Sequence, residues 1–136
     1  MKGEAIVLPV GMREALIAHA RADHPLEACG LIAGRGRHPL RFYPARNALQ
    51  SPTRYDIDPR DLLAVTMEIE ARGEELWGIF HSHPATEAYP SPTDIRLAFY
   101  PGAYYLICSL ADAEAPVLRA FRLDGAAVRE FTLADP

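Results

Sequence analysis

Two histidines and an aspartate in one short segment of the chain have the residue types and spacing of a metal-binding site. The segment reads His81-Ser82-His83-Pro84, continues through a loop to Pro90, and ends in Ser91-Pro92-Thr93-Asp94. Two imidazole nitrogens and one carboxylate oxygen suit a borderline-soft divalent ion such as zinc. Three protein ligands leave the fourth tetrahedral position open for water, which is typical of a catalytic zinc. The segment therefore predicts one zinc ion per chain, held by His81, His83 and Asp94.

An apolar run before the histidines predicts the element that positions them. Residues 76–80 read Leu-Trp-Gly-Ile-Phe, which is typical of a buried strand. Residues two apart on a strand project from the same face, so both imidazoles can reach one point while Ser82 faces the other side. A short helix is predicted from Pro92 to about Phe99. The loop between the two elements can fold the helix start against the strand end and bring Asp94 to the third ligand position.

Simpler interpretations exist for the same residues. Two histidines at a strand end are often ordinary polar residues. Ser91-Pro92-Thr93-Asp94 is also typical of a helix start, and Asp58-Pro59-Arg60-Asp61 shows the same pattern with no histidine near it. The metal hypothesis therefore depends on the loop of residues 84–90 bringing the strand end and the helix start together.

This spacing, together with Glu27 in Pro25-Leu26-Glu27-Ala28-Cys29-Gly30, resembles the JAMM (MPN-plus) metalloproteases. Their motif is a distant Glu, then His-Ser/Thr-His-Pro, then Ser-x-x-Asp after seven residues counted from that proline, and every position is filled here. The resemblance extends through Asn47, residues 55–59 and residues 104–107. It implies that Glu27 is the general base and that Ser91 donates a hydrogen bond to the oxyanion. On the residues alone, Glu27 is an ordinary acid at a strand start and Ser91 is a helix cap.

The resemblance also implies a class of substrate. The family includes deubiquitinases and prokaryotic peptidases that cut next to the C-terminal glycines of ubiquitin-like sulfur-carrier proteins. The chain has no room for the long insertions of eukaryotic deubiquitinases, so it resembles the compact stand-alone prokaryotic type. We expect a ubiquitin-like or sulfur-carrier protein joined to an amino acid or a lysine as substrate. The alternative is a non-catalytic MPN interaction module, a class whose members have lost ligands that this chain keeps.

Composition limits the remaining classes of protein. With 136 residues, of which 49% are hydrophobic, the chain predicts one domain over residues 1–136. A net charge of −4 argues against a general nucleic-acid binder. Cys29 and Cys108 lie in apolar runs and are interpreted as buried thiols. With no export signal or membrane span evident, we expect a cytoplasmic protein; the oligomeric state is left open.

Elsewhere the chain mixes strand and helix patterns without strict alternation. Strands are predicted at residues 4–8, 27–33, 39–48, 103–110, 117–123 and 126–133, the last two joined by an Asp124-Gly125 turn. A first helix is predicted at residues 10–23, and a second begins after the Asp58 cap and ends at Gly73. This order predicts an α/β or α+β fold, in which helices pack on the faces of one mixed β-sheet.

Overall fold

The computed structural model describes residues 3–136, which contain seven strands and three helices. In chain order these are β1 (Gly3–Val7), α1 (Met12–Asp23), β2 (Cys29–Arg35), β3 (His38–Ala45), α2 (Pro59–Ala71), β4 (Glu75–His83), α3 (Pro92–Arg96), β5 (Tyr104–Ser109), β6 (Val117–Asp124) and β7 (Ala127–Ala134). The strands form one mixed sheet in the order β1-β7-β6-β5-β4-β2-β3. The predicted fold class is confirmed, in its α+β form.

Helices cover both faces of this sheet. Helix α1 buries Met12, Leu16 and Ala20, its positions i, i+4 and i+8, against one face. Helix α2 packs Leu62 and Val65 against the opposite face, where they join a second apolar cluster. Each face of the sheet is therefore closed by one amphipathic helix, and the strands between them are almost fully buried.

Strand β4 lies in the interior of the sheet and carries both histidines at its end. It pairs antiparallel with β2, where His81 faces Cys29, and parallel with β5, where His83 faces Ser109. Pairing on both sides fixes the backbone of the histidine segment. His81 and His83 are 1% and 4% exposed, so this strand end is buried rather than splayed into solvent.

The structure differs from the sequence-based expectation at several element bounds, among them the end of β3, which lies at Ala45 rather than at residue 48. Strand β2 begins at Cys29 rather than Glu27. The Glu27 backbone is hydrogen-bonded to Ser51 and Asn47, which lie in the loop after β3, and not to a neighbouring strand. Helix α3 ends at Arg96, before the predicted Phe99; Pro101 lies shortly beyond and disfavours helical backbone in the residue before it. The final hairpin turn is Gly125-Ala126, one position later than predicted, and Gly125 takes the positive φ of 62° that the turn requires.

Both cysteines are buried free thiols. Cys29 belongs to the apolar cluster beneath α2, whereas Cys108 belongs to the cluster beneath α1. The two side chains therefore lie on opposite faces of the sheet and cannot form a disulfide with each other in this fold. Over residues 3–136, no helix has both the length and the apolar character needed to cross a membrane.

Candidate metal centre

Three potential ligand atoms converge at the end of β4. The Nε2 atoms of His81 and His83 lie 3.1 Å apart, and Asp94 Oδ2 lies 3.2 Å from the first and 3.0 Å from the second. A tetrahedral zinc ion with ligands at about 2.0–2.1 Å holds its ligand atoms roughly 3.3 Å apart. The observed triangle has nearly that size, so these three side chains could hold a metal ion.

The Asp94 carboxylate is aimed at this point by the start of α3. Ser91 and Asp94 form a capping box, in which the Asp94 N–H donates to Ser91 Oγ at 3.0 Å and the Ser91 N–H donates to Asp94 Oδ2 at 2.9 Å. The Ser91 N–H therefore fixes the same oxygen that approaches the histidines. The helix-cap interpretation and the ligand interpretation of this segment are both geometrically satisfied by one arrangement.

Burial and hydrogen bonding push the pKa values of the three groups apart. Burial lowers the pKa of His81 despite its contact with Asp94, which favours the neutral imidazole that a metal requires. Burial also acts to lower the pKa of His83, but hydrogen bonds to Asp94 and Glu87 outweigh it and raise that pKa. For Asp94, burial is outweighed by hydrogen bonds from both histidines, so its pKa lies well below the ordinary value.

Glu27 is a buried carboxyl group close to this triangle. It is 3% exposed, and within residues 3–136 its Oε1 atom has no hydrogen-bond partner. Burial raises the pKa of Glu27 to about 8. The nearby charge of His83 lowers this pKa by a smaller amount, and the charge of Asp94 raises it. A carboxyl group with a raised pKa is a stronger proton acceptor once ionised, and a divalent cation beside it would favour ionisation.

The backbone of Glu27 is held by Ser51 and Asn47, and the sequence did not predict this role for either residue. Its N–H donates to the Ser51 carbonyl at 2.8 Å, and its carbonyl accepts a hydrogen bond from Asn47 Nδ2 at 3.1 Å. The next residue is held as well, because the Ala28 N–H donates to Ser82 Oγ at 2.8 Å. Ser82 thus lies on the opposite face from the histidines, as predicted, and links the Glu27 segment to β4.

The Ser91 hydroxyl keeps its own proton available. Its oxygen accepts from the Asp94 N–H, and in the described part of the chain the hydroxyl hydrogen has no acceptor. A hydroxyl can accept and donate at the same time. Capping the helix therefore leaves this group able to donate to a substrate oxygen.

Tyr55 contacts the centre in a way that no spacing rule predicts. Its ring stacks on the His81 imidazole, with ring centroids 4.5 Å apart and an interplanar angle of 20°. Tyr55 and Asp94 both line a cavity of about 300 Å³ whose remaining walls are largely apolar, among them Leu62, Leu97 and Phe99. The centre thus opens beside a pocket with the character of a ligand site.

Comparison with known proteins identifies the class of protein that this fold and site define. The chain matches the model of the prokaryotic homologs of the JAB domain over residues 9–124. A crystal structure of a JAB1/MPN domain protein from Archaeoglobus fulgidus has the same fold, with a TM-score of 0.63 at 18% identity over 98% of this chain and 100% of that one. The chain therefore belongs to the prokaryotic JAB family, and the predicted family resemblance is confirmed.

Closer relatives confirm the predicted class of enzyme, a hydrolase. The chain is 44% identical over 128 residues to a CysO-cysteine peptidase of Mycobacterium tuberculosis, covering 92% of this chain and 88% of the relative. It is 34% identical over 116 residues to a desampylase of Haloferax volcanii, covering 80% and 84%. A solution structure of a Desulfitobacterium hafniense protein superposes with a TM-score of 0.86 at 40% identity, covering 98% and 93%.

Proposed function

We propose that this chain is a zinc-dependent peptidase or isopeptidase that hydrolyses an amide bond next to the C-terminal glycines of a ubiquitin-like or sulfur-carrier protein. The observation that carries the proposal is the triangle of ligand atoms beside the buried, unpartnered Glu27 carboxyl group. A set of ligands next to a poised proton acceptor is the arrangement that metal-assisted hydrolysis requires.

The proposed cofactor is one zinc ion per chain, with His81, His83 and Asp94 as ligands and water in the fourth position. The mixed nitrogen and oxygen donors and the spacing of 3.0–3.2 Å between them support zinc. If bound at these residues, a zinc ion would supply Lewis-acid polarisation of the substrate carbonyl and of a water molecule. The neutral state favoured at His81 and the ionised state favoured at Asp94 suit this ligand role.

The chain's own residues carry the proton transfers. Glu27 accepts a proton from the attacking water, whose oxygen adds to the amide carbon, and then passes that proton to the leaving nitrogen as the C–N bond breaks. The Ser91 hydroxyl donates a hydrogen bond to the oxygen that gains negative charge in the transition state, and Ser91 keeps its proton. The burial of Glu27 and the unused donor of Ser91 support these two roles.

The class of substrate follows from the relatives. One is named for peptidase activity on CysO-cysteine and another is named a desampylase. We infer a carrier-protein conjugate for this chain as well, with the apolar cavity beside Asp94 available to the substrate chain. We also infer a single domain over residues 1–136 and a cytoplasmic location, which two buried free thiols support.

The decisive experiment is product analysis with the metal-loaded protein. The purified chain, reconstituted with zinc, is incubated with a ubiquitin-fold carrier protein ending in Gly-Gly joined to cysteine or to a lysine side chain. We expect product masses equal to the free carrier with an intact Gly-Gly end. The Glu27→Gln variant and a chelator-treated sample serve as matched controls. Cleavage that persists in both controls, or no cleavage of any carrier conjugate by the loaded wild type, would overturn the proposal.

A further inference from the structure

The two histidines of the centre are held in different ways. His83 Nδ1 is hydrogen-bonded to the Glu87 carbonyl at 2.7 Å, so its second nitrogen is fixed by the loop that follows β4. His81 Nδ1 is buried, and across residues 3–136 it has no hydrogen-bond partner. Metal-binding histidines almost always donate their second ring nitrogen to an acceptor, which fixes the orientation of the ring. For His81, a different contact can supply that constraint.

The Tyr55 ring is the contact in the right place. It lies nearly parallel to the His81 imidazole, at 4.5 Å between centroids and 20° between planes. Stacked aromatic rings attract each other beyond the effect of the apolar area that they bury. A flat ring against one face of the imidazole opposes tilting of that imidazole out of the plane in which Nε2 points at Asp94.

The Tyr55 backbone is itself fixed on both sides by one side chain. Asn47 Nδ2 donates to the carbonyl of Arg54 at 2.9 Å, and Asn47 Oδ1 accepts from the N–H of Asp56 at 3.1 Å. Asn47 is 6% exposed, so these bonds are shielded from water. Because both neighbours of Tyr55 are held, its ring is presented to His81 by a rigid segment rather than by a mobile loop.

We propose that Tyr55 is the positioning residue for His81, and that its stacked ring orients this imidazole where a hydrogen bond orients His83. The inference rests on the proposed function, since it takes His81 to be a metal ligand. Removal of the flat ring leaves His81 free to tilt, so the protein then holds zinc less tightly even though all three ligands remain.

Zinc affinity and the geometry of the bound metal test this role. We expect Tyr55→Leu to raise the zinc dissociation constant, measured by competition with a chromogenic chelator, about 10-fold or more, as for other groups that orient ligands. The visible absorption spectrum of the cobalt-substituted protein should change in the same variant. Tyr55→Phe keeps the ring and should match the wild type in both measurements.

Tyr100→Leu is the matched control, because Tyr100 lines the same cavity but its ring does not stack on His81. It should lose stability through lost packing and leave zinc affinity and the cobalt spectrum unchanged. Tyr55→Met keeps apolar bulk without a flat ring, and serves if Tyr55→Leu does not fold. Equal zinc affinity in folded Tyr55→Leu or Tyr55→Met and wild type would overturn the inference, as would equal weakening in Tyr100→Leu. A wild-type chain that binds no zinc at all would instead overturn the proposed metal site.

Discussion

Replacing Ser91 and Asp58 separately with alanine distinguishes a helix cap from a catalytic donor. Both residues cap a helix that begins with proline. Asp58 Oδ1 accepts from the Arg60 N–H at 2.8 Å, and Ser91 Oγ accepts from the Asp94 N–H at 3.0 Å. The two caps are thus comparable in chemistry, but only Ser91 lies beside the proposed metal centre. The pair separates loss of a cap from loss of a donor to the substrate.

The two substitutions should have similar effects on the free energy of unfolding but different effects on kcat. Loss of either cap should lower the free energy of unfolding by about 1 kcal/mol, which lowers the melting temperature by about 4 °C for a chain of this size. Loss of an oxyanion donor costs about 10²- to 10³-fold in kcat. In Ser91→Ala the Ser91 N–H still fixes Asp94 Oδ2, so the ligand triangle should survive. Ser91→Ala should therefore lose kcat and a little stability, whereas Asp58→Ala should lose stability alone.

Steady-state kinetics on a carrier conjugate, thermal unfolding and zinc content should be measured on the same preparations. Zinc content controls for damage to the metal site, because a loss of kcat counts only if both variants retain the metal. Equal and small effects of the two substitutions on kcat would refute the reasoning. Ser91 would then be a structural cap, and the oxyanion would need another donor.

Four further results are expected. Elemental analysis of protein refolded with zinc should give about one zinc per chain, and absence of any transition metal would contradict the proposed centre. Glu27→Gln should keep zinc and fold but lose about 10²- to 10⁴-fold in turnover, so near-normal activity would exclude Glu27 as the base. Ser82→Ala should lower the free energy of unfolding in urea by about 1–3 kcal/mol, because it leaves the buried Ala28 N–H unpaired; an unchanged midpoint would contradict this. Gly30→Ala should strongly lower the free energy of unfolding in the same assay, because the added Cβ would lie 2.6 Å from the Phe42 ring. If this variant were as stable as the wild type, the strands would have to be able to separate at that point.

The sequence predicted the elements of the centre because local periodicity governs them. The alternation of β4 places His81 and His83 on one face, and the cap residues at Ser91 and Asp58 begin their helices as expected. The convergence of Asp94 on the histidines was predicted from loop length, and the distances agree with it. The roles of these residues in catalysis and metal binding stay predictions.

The surroundings of Glu27 could not be predicted in the same way. Its setting depends on the Ser51 carbonyl, on Asn47 and on Ser82, which are distant in sequence and follow no period. The stacking of Tyr55 on His81 depends equally on how the loop that contains Tyr55 packs against the end of β4. Contacts of this kind are fixed by tertiary packing, so propensity and spacing carry no signal for them.

The proposed ligands and the proposed base come from separate segments of the chain. All three ligands lie within residues 81–94, whereas Glu27 is held by the distant loop that contains Asn47 and Ser51. If these proposed roles hold, a single substitution at Glu27 would remove most of the turnover while the metal stays bound. In evolutionary terms, one mutation in this chain would then be enough to produce a protein that binds the metal but has lost its activity. A relative that retains its zinc has not thereby been shown to retain its activity.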